Sequence, residues 1–194
     1  MRMFVAVVPP EPVVEDLEEF VAPRREHAPW RWTPAEQWHV TLAFAAHVPD
    51  RALDDLVDRL AVAATRRRPF ELALTGGGAF PDPARARLLF SALEGTSEAL
   101  GELDALATGT RNAAVAAGVE VDGQRFRPHV TLARLHRPAE VTRWLRVLDA
   151  HRGPPWTVRE VALVASHLGE GPRGGPRHEV VATLSLGPAG SGPG

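Results

Sequence analysis

The five residues His-Val-Thr-Leu-Ala occur twice in this chain of 194 residues, at 39–43 and again at 129–133. In both copies polar and apolar residues alternate, which predicts a half-buried β-strand with His and Thr on one face and Val and Leu on the other. Strict alternation also places Ala43 and Ala133 on the histidine face, where a small side chain would leave room for a ligand. A repeat of this length in a chain rich in Ala, Val and Leu has a chance probability of roughly a few per cent. The chemistry of the repeated side chains is therefore more informative than the repeat itself.

The same order of elements is predicted around each copy of the repeat. Hydrophobic periodicity and helix caps predict strands at 2–8, 38–44, 70–75, 87–93, from 129, 157–166 and 178–186, and helices at 12–25, 50–68, 96–117 and 138–151, with a glycine-rich loop at 76–83. This order predicts an α+β fold with two pseudo-symmetric lobes of mostly antiparallel sheet, helices outside and a cleft between the lobes. We expect residues 1–187 to form one domain and residues 188–194 to form a flexible tail rich in Gly and Pro.

Composition excludes several classes of site. The chain has no cysteine, and all of its 22 basic residues are arginine. Thiolate nucleophiles, cysteine-ligated metals, Schiff bases, P-loop lysines and adenylylated lysines are therefore excluded. The formal net charge of −2 provides no global basic field for duplex nucleic acid, so any contact with nucleic acid must be local. The apolar run at residues 3–8 is too short for a signal peptide or a membrane span, and we expect a cytoplasmic monomer.

Two histidines and two threonines that meet in a cleft have the side chains that in-line phosphoryl displacement requires. One imidazole of the pair His39 and His129 would take a proton from water, and the other would give a proton to the leaving oxygen. The hydroxyls of Thr41 and Thr131 would hold non-bridging oxygens. The residues of a single His-x-Thr pair are more often ordinary surface residues of a strand. Two copies on matching strands favour a catalytic site instead. The eight histidines show no zinc-ligand spacing and the chain has no Gly-x-Ser-x-Gly, so we expect neither a metal nor a cofactor.

These residues resemble the two-histidine (2H) phosphoesterase superfamily, which has one His-x-Thr/Ser motif in each lobe. The chain is most similar to the bacterial RNA 2′,3′-cyclic phosphodiesterases, long called 2′-5′ RNA ligases, in the ordered segments MRMFVAVVPP, RWTPAEQWHVTLAF, GGGAFPD, FRPHVTLAR and VALVASHL. The resemblance implies metal-independent hydrolysis of a 2′,3′-cyclic phosphate on an RNA 3′ end or nucleotide to a 2′-phosphomonoester, with reversible 2′-5′ ligation in some members. It also implies that His39 and His129 are catalytic and that Thr41, Thr131 and Arg134 bind phosphate.

Some positions differ from the family pattern. By strict alternation Arg134 should point away from His129, so its role requires a bend in the strand. Ala43 and Ala46 stand where relatives often carry a basic residue and a glycine, and His178 stands where relatives often have tyrosine. Because the chain has no tyrosine, Phe80 and Trp32 are the candidates for base stacking.

Three questions stay open from the sequence. It does not decide which histidine is the acid, nor whether the enzyme acts on another cyclic phosphate, such as one on an ADP-ribose derivative, or on a 2′-5′ linkage. A module that binds RNA ends without turnover is the alternative outside catalysis.

Overall fold

The computed structural model describes residues 1–188, so all of the predicted tail except Pro188 lies outside the described residues. The α+β fold predicted from the sequence is confirmed. Within the described range there are nine strands and four α-helices: β1 (Met3–Val7), α1 (Glu11–Arg25), β2 (Arg31–Trp32), β3 (Val40–Ala45), α2 (Leu53–Thr65), β4 (Phe70–Phe80), β5 (Ala86–Glu94), α3 (Ser97–Ala116), β6 (Val130–Ala139), α4 (Thr142–Leu148), β7 (Trp156–Val158), β8 (Glu160–His167) and β9 (Arg177–Ser185). None of the helices in this range has the length and apolar character that a membrane span requires.

The strands form an antiparallel sheet in the order β7-β4-β5-β6-β3-β1-β8-β9, and the short strand β2 also pairs with β6. The two strands of the repeat, β3 and β6, are neighbours at the middle of this order, and they pair at a single position, Val40 opposite Val130. On either side of this pair the two strands diverge. We call β3, β1, β8 and β9 the first half-sheet, and β6, β5, β4 and β7 the second half-sheet. An antiparallel pairing at equivalent residues relates the two halves by a pseudo-twofold axis.

All four helices pack on one face of the sheet, where the main hydrophobic core lies. Each helix contributes a leucine that is almost completely buried: Leu17, Leu60, Leu103 and Leu148. Residues of the opposite face, which we call the open face, include a small apolar cluster of Phe4, Ala6, Ala162, Val164 and Phe44. The sheet therefore has one face fixed by helices and one face available for a ligand.

The first strand of the repeat, β3, contains a β-bulge. Val5 pairs with Ala43, but the next residue of β1, Ala6, pairs with Thr41. Leu42 is therefore an extra residue without a partner on β1. A bulge of this kind shifts the alternation of side chains by one position.

The second strand of the repeat, β6, contains a bulge at the equivalent place. Leu89 pairs with Ala133, and Phe90 pairs with Thr131, so that Leu132 is the extra residue. Both halves of the sheet thus bend directly after the His-x-Thr motif.

The bulges correct one prediction from the sequence and resolve another. Ala43 and Ala133 do not lie on the histidine face, because both are buried in the helix-covered core. The residues that follow them, Phe44 and Arg134, are brought to the open face instead. The bend that Arg134 requires to lie on the side of His129 is therefore present in β6.

Residues 76–80 of the glycine-rich segment predicted as a loop are instead the second part of β4, and only residues 81–83 lie outside the strand. Gly77 and Gly78 pair with β5, and both lie where a side chain would collide with neighbours. A Cβ atom on Gly77 would collide with the Leu148 side chain, and a Cβ atom on Gly78 would collide with the Phe90 ring. The role of these glycines is therefore to let the strand pack closely against its neighbours, and not to form a turn.

Two further elements differ from the sequence predictions. The helix predicted at 138–151 is limited to α4, because β6 continues to Ala139. The strand β2 was not predicted, because two residues are too few to show a periodic pattern.

Candidate active site

The two histidines of the repeat lie together on the open face at the middle of the sheet. His39 and His129 each come directly before the residues of the Val40–Val130 pair. The antiparallel pairing therefore places them diagonally across the pseudo-twofold axis. The charge of His129 lowers the pKa of His39, which is consistent with this proximity.

Both imidazoles are oriented by a backbone carbonyl two residues earlier in the chain. Nδ1 of His39 lies 2.7 Å from the carbonyl oxygen of Gln37, and Nδ1 of His129 lies 2.6 Å from that of Arg127. A carbonyl oxygen only accepts, so Nδ1 carries a hydrogen in both rings, and Nε2 is the atom left for chemistry. Nε2 of His39 lies 3.0 Å from Oγ1 of Thr41, a distance at which the hydroxyl donates to the unprotonated nitrogen.

Aromatic rings of the neighbouring strands support both histidines. The His39 ring stacks on Phe4 of β1, with centroids 4.4 Å apart and an angle of 19°. The His129 ring packs against Phe90 of β5 at 5.3 Å and edge-on against Phe80 at 5.0 Å. Phe80 therefore lies beside the histidines, as its predicted role requires, while that role itself stays a prediction.

Burial and positive neighbours lower the pKa values of both imidazoles. Burial is the main reason that the pKa of His39 is lowered to about 4, and the charges of His178, His129 and Arg134 lower it further. The pKa of His129 is also lowered, mainly by burial and then by Arg134. The carbonyl hydrogen bonds oppose both shifts. An anion bound between the rings would raise both pKa values again.

Arg134 is the cation that acts on both histidines. The pKa of its guanidinium is lowered by burial and by the charges of Arg31 and Arg2. Within residues 1–188 none of these three arginines forms an ion pair with a carboxylate. The electrostatics of the open face therefore favour a ligand with negative charge.

A third histidine, which the sequence analysis left without a role, also faces this site. The ring of His178 on β9 is 5.7 Å from His39 at an angle of 74°, and 5.1 Å from Phe4. In the second half-sheet Phe80 also contacts both His129 and Phe90, but it stacks on Phe90, whereas His178 meets Phe4 edge-on. The only signal in the sequence is that this histidine replaces a tyrosine of similar proteins.

The structure places Trp32 away from the site, which corrects its nomination as a base-stacking residue. Trp32 lies opposite the buried Ala133 and packs on the helix-covered core with Trp30 and Trp144. Its indole N–H donates to the carbonyl oxygen of Ala28. Its neighbour Arg31, opposite Arg134, lies on the open face instead.

Comparison with known proteins gives a consistent result. A family model described as LigT-like phosphoesterase matches residues 7–90 and 95–173. The RNA 2′,3′-cyclic phosphodiesterase of Thermus thermophilus is 34% identical over 191 residues, which are 96% of this chain and 90% of that protein. A crystal structure of a protein from the same organism has a TM-score of 0.72 and 31% identity, covering 96% of this chain and 98% of that one. The crystal structure of Escherichia coli LigT without ligand has a TM-score of 0.69 and 24% identity, covering 96% of this chain and 97% of that one.

Proposed function

The chain belongs to the LigT-like phosphoesterase family, and we propose that it is an RNA 2′,3′-cyclic phosphodiesterase. It hydrolyses the cyclic phosphate at the 3′ end of an RNA or nucleotide and leaves a 2′-phosphomonoester. The observation that carries this proposal is the pair of imidazoles on one face of the sheet, each with Nδ1 held by a carbonyl and Nε2 available.

The reaction needs two proton transfers on opposite sides of one phosphorus atom. Water attacks phosphorus opposite the 3′ oxygen, the P–O3′ bond breaks, and a new P–O bond forms to the water oxygen. One imidazole accepts the proton of the attacking water, and the other donates a proton to the departing 3′ oxygen. The diagonal arrangement of His39 and His129 about the pseudo-twofold axis supports this division of roles, whichever histidine takes each role.

The remaining site residues stabilise negative charge on the phosphoryl group. The Thr41 and Thr131 hydroxyls and the Arg134 guanidinium donate to its non-bridging oxygens. Bound phosphate raises the depressed pKa values of the histidines, so the substrate itself promotes protonation of the acid. Phe80, beside His129, stacks on the terminal base.

A turnover assay tests this function. The protein is incubated with 2′,3′-cyclic AMP and with a short RNA ending in a cyclic phosphate, in the presence of EDTA, and the product is identified by phosphorus NMR. We expect a 2′-phosphate, unaffected by the chelator. We also expect His39→Ala and His129→Ala each to reduce kcat at least about 100-fold, which is the usual scale of general acid–base catalysis.

Wild-type turnover in both alanine variants would contradict the catalytic roles. Tight binding of the RNA end without any product would instead identify a binding module. Ligation of RNA ends through a 2′-5′ linkage is the same displacement with a 5′ hydroxyl in place of water: a P–O5′ bond forms as the P–O3′ bond breaks. It is measured in the same assay by adding an RNA with a free 5′ hydroxyl.

A further inference from the structure

We propose that Arg2 and Arg31 form a second phosphate subsite beside Arg134. This subsite binds the internucleotide phosphate on the 5′ side of the terminal nucleotide. The inference rests on the proposed function and specifies which substrate that function prefers, namely an RNA end rather than a mononucleotide.

Arg31 is placed in the site by the strand pairing of β2. It lies directly opposite Arg134 on β6, and the Trp32–Ala133 pair beside it faces the core. Like charges at directly opposite positions of a sheet repel each other, so this pair is unfavourable without an anion between or beside the guanidiniums. A Cβ atom on Gly175, in the β8–β9 loop, would lie only 3.5 Å from Nη2 of Arg31. The Arg31 side chain therefore extends from β2 toward the β8–β9 loop of the first half-sheet.

Arg2 approaches the same region from the first half-sheet. Its guanidinium lies 4.5 Å from the centroid of the Phe44 ring, which β3 presents on the open face after the bulge. The charge of Arg2 reaches both His178 and Arg134, since it lowers the pKa of each. Two guanidiniums thus flank Arg134 from opposite half-sheets.

Most arginines of the described residues are in no ion pair, and what distinguishes Arg2, Arg31 and Arg134 is that their charges act on one another. Four other arginines are paired with carboxylates, namely Arg25, Arg59, Arg67 and Arg177. Within the described residues Arg2, Arg31 and Arg134 have no such partner, although the whole chain has a net charge of −2. Three positive charges are therefore close together at the site, on a chain whose net charge is −2.

The number of charges argues for a second phosphate. A cyclic phosphodiester carries one negative charge, which Arg134 alone balances. Two guanidiniums remain, and a dinucleotide end adds one more phosphate that both can contact. Side chains at directly opposite strand positions start only about 5 Å apart, so long arginines can diverge from there to contact neighbouring phosphates.

The experiment compares kcat/KM for three substrates. These are 2′,3′-cyclic AMP, the dinucleotide ApA with a terminal cyclic phosphate, and the same dinucleotide with an uncharged methylphosphonate linkage. We expect the wild-type protein to prefer the charged dinucleotide over the other two by at least about tenfold, the effect of one charged hydrogen bond. In Arg31→Gln and Arg2→Gln this preference for the charged linkage decreases about tenfold, and Arg31→Lys restores part of it.

Arg143→Gln is the matched control, because Arg143 is an exposed arginine of α4 on the helix-covered side. It removes the same unit charge and should leave the preference unchanged. Equal turnover of the phosphate and methylphosphonate dinucleotides by the wild type would overturn the proposal. The proposal would also be overturned if Arg31→Gln lowered kcat/KM for all three substrates by the same factor.

A fourth substrate, ADP-ribose 1″,2″-cyclic phosphate, carries its extra phosphates in a pyrophosphate and not in an internucleotide linkage. It shows which of these two groups the second subsite recognises. If Arg31→Gln impaired only this compound, the internucleotide assignment would be wrong. Absence of turnover with every substrate would contradict the proposed function itself and is thus distinguishable from failure of the second subsite.

Discussion

His39 and His129 are the same residue in the same motif, but their surroundings differ. His39 is stacked nearly parallel to Phe4 and has three positive neighbours, whereas the principal positive neighbour of His129 is Arg134. Burial is the main cause of the lowered pKa of both rings, and the additional positive neighbours lower the pKa of His39 further. Identical side chains are thereby made chemically unequal before a substrate binds.

The lowered pKa values predict an acidic optimum for kcat/KM. The free enzyme needs one protonated imidazole, and the pKa values of both lie below the usual 6.5. Above the higher of the two, the active fraction declines tenfold per pH unit. We expect a maximum of kcat/KM for 2′,3′-cyclic AMP below pH 6.5, measured by initial rates. A plateau that continues to pH 8 would contradict the burial-driven shifts.

His39 also predicts a loss of stability in acid. Its pKa is about 4 in the folded protein, against about 6.5 in an unfolded chain, so between these values the unfolded state binds more protons. The free energy of unfolding therefore decreases as the pH falls through this window. Urea unfolding at pH 7 and pH 5 should show a smaller decrease for His39→Asn than for the wild type. An equal decrease in both proteins would refute the shift.

His178 predicts a measurable effect on its neighbour. When His178 is protonated, it repels a proton on His39, so its replacement should raise the pKa of His39. His178→Phe preserves an aromatic ring and removes the charge, and an NMR titration of the imidazole signals measures the result. His167→Gln is the control, because His167 pairs with Glu179 on the other side of β9. An unchanged His39 pKa in His178→Phe would show that the third imidazole is electrostatically irrelevant.

The elements of the site depend on where each strand departs from regular geometry. The bulge at Leu132 brings Arg134 to the open face, and the Gly77–Gly78 pair permits β4 to approach Leu148 and Phe90 closely. Neither feature changes the overall fold class. Both decide which side chains the ligand meets.

Replacing Gly78 tests this dependence. A Cβ atom at this position would overlap the Phe90 ring, and Phe90 in turn supports the His129 ring. We expect Gly78→Ala to destabilise the protein by about 1–3 kcal/mol, as overpacking does, and to lower kcat. Gly101→Ala on α3, with no atom within 4 Å of the added Cβ, should instead stabilise by about 0.5–1 kcal/mol. Chemical denaturation measures the free energy of unfolding of both variants, and turnover assays measure kcat. A Gly78→Ala variant with unchanged stability would contradict this packing.

The sequence predicted the strands of the repeat because their alternation is regular up to Thr41 and Thr131. It could not place Ala43, Ala133 and Arg134, because a bulge inserts a residue without any mark in the hydrophobic pattern. Glycines at 76–78 were interpreted as a loop, since composition does not show which ring will occupy the missing side-chain volume. Phe4 and His178 could not be assigned because their proximity to His39 arises only from the order of strands.

At the scale of the whole molecule, the site exists only where the two half-sheets meet. Val40 and Val130 form the one backbone pair between the repeat strands in the described residues, and each half supplies one imidazole and one hydroxyl. The unfolded chain therefore has no comparable anion site. Binding of phosphate must stabilise the folded state.

Inorganic phosphate should accordingly raise the midpoint of thermal unfolding in a concentration-dependent way. A ligand at 100 times its Kd adds about 2.7 kcal/mol to the free energy of unfolding. Sodium chloride at equal ionic strength is the control for general screening, and scanning fluorimetry provides the measurement. Identical midpoints in the two salts would contradict a phosphate site at this junction.

The pseudo-twofold axis through Val40 and Val130 has a consequence for substrate recognition. Two separate copies of one half would form a homodimer whose site is identical from both directions. A phosphodiester undergoing hydrolysis is directional, because its entering and departing oxygens are different chemical groups. Joining the halves in a single polypeptide allows equivalent positions to diverge, as Phe44 and Arg134 have done. Covalent linkage thus lets a symmetric scaffold distinguish the two ends of an asymmetric reaction.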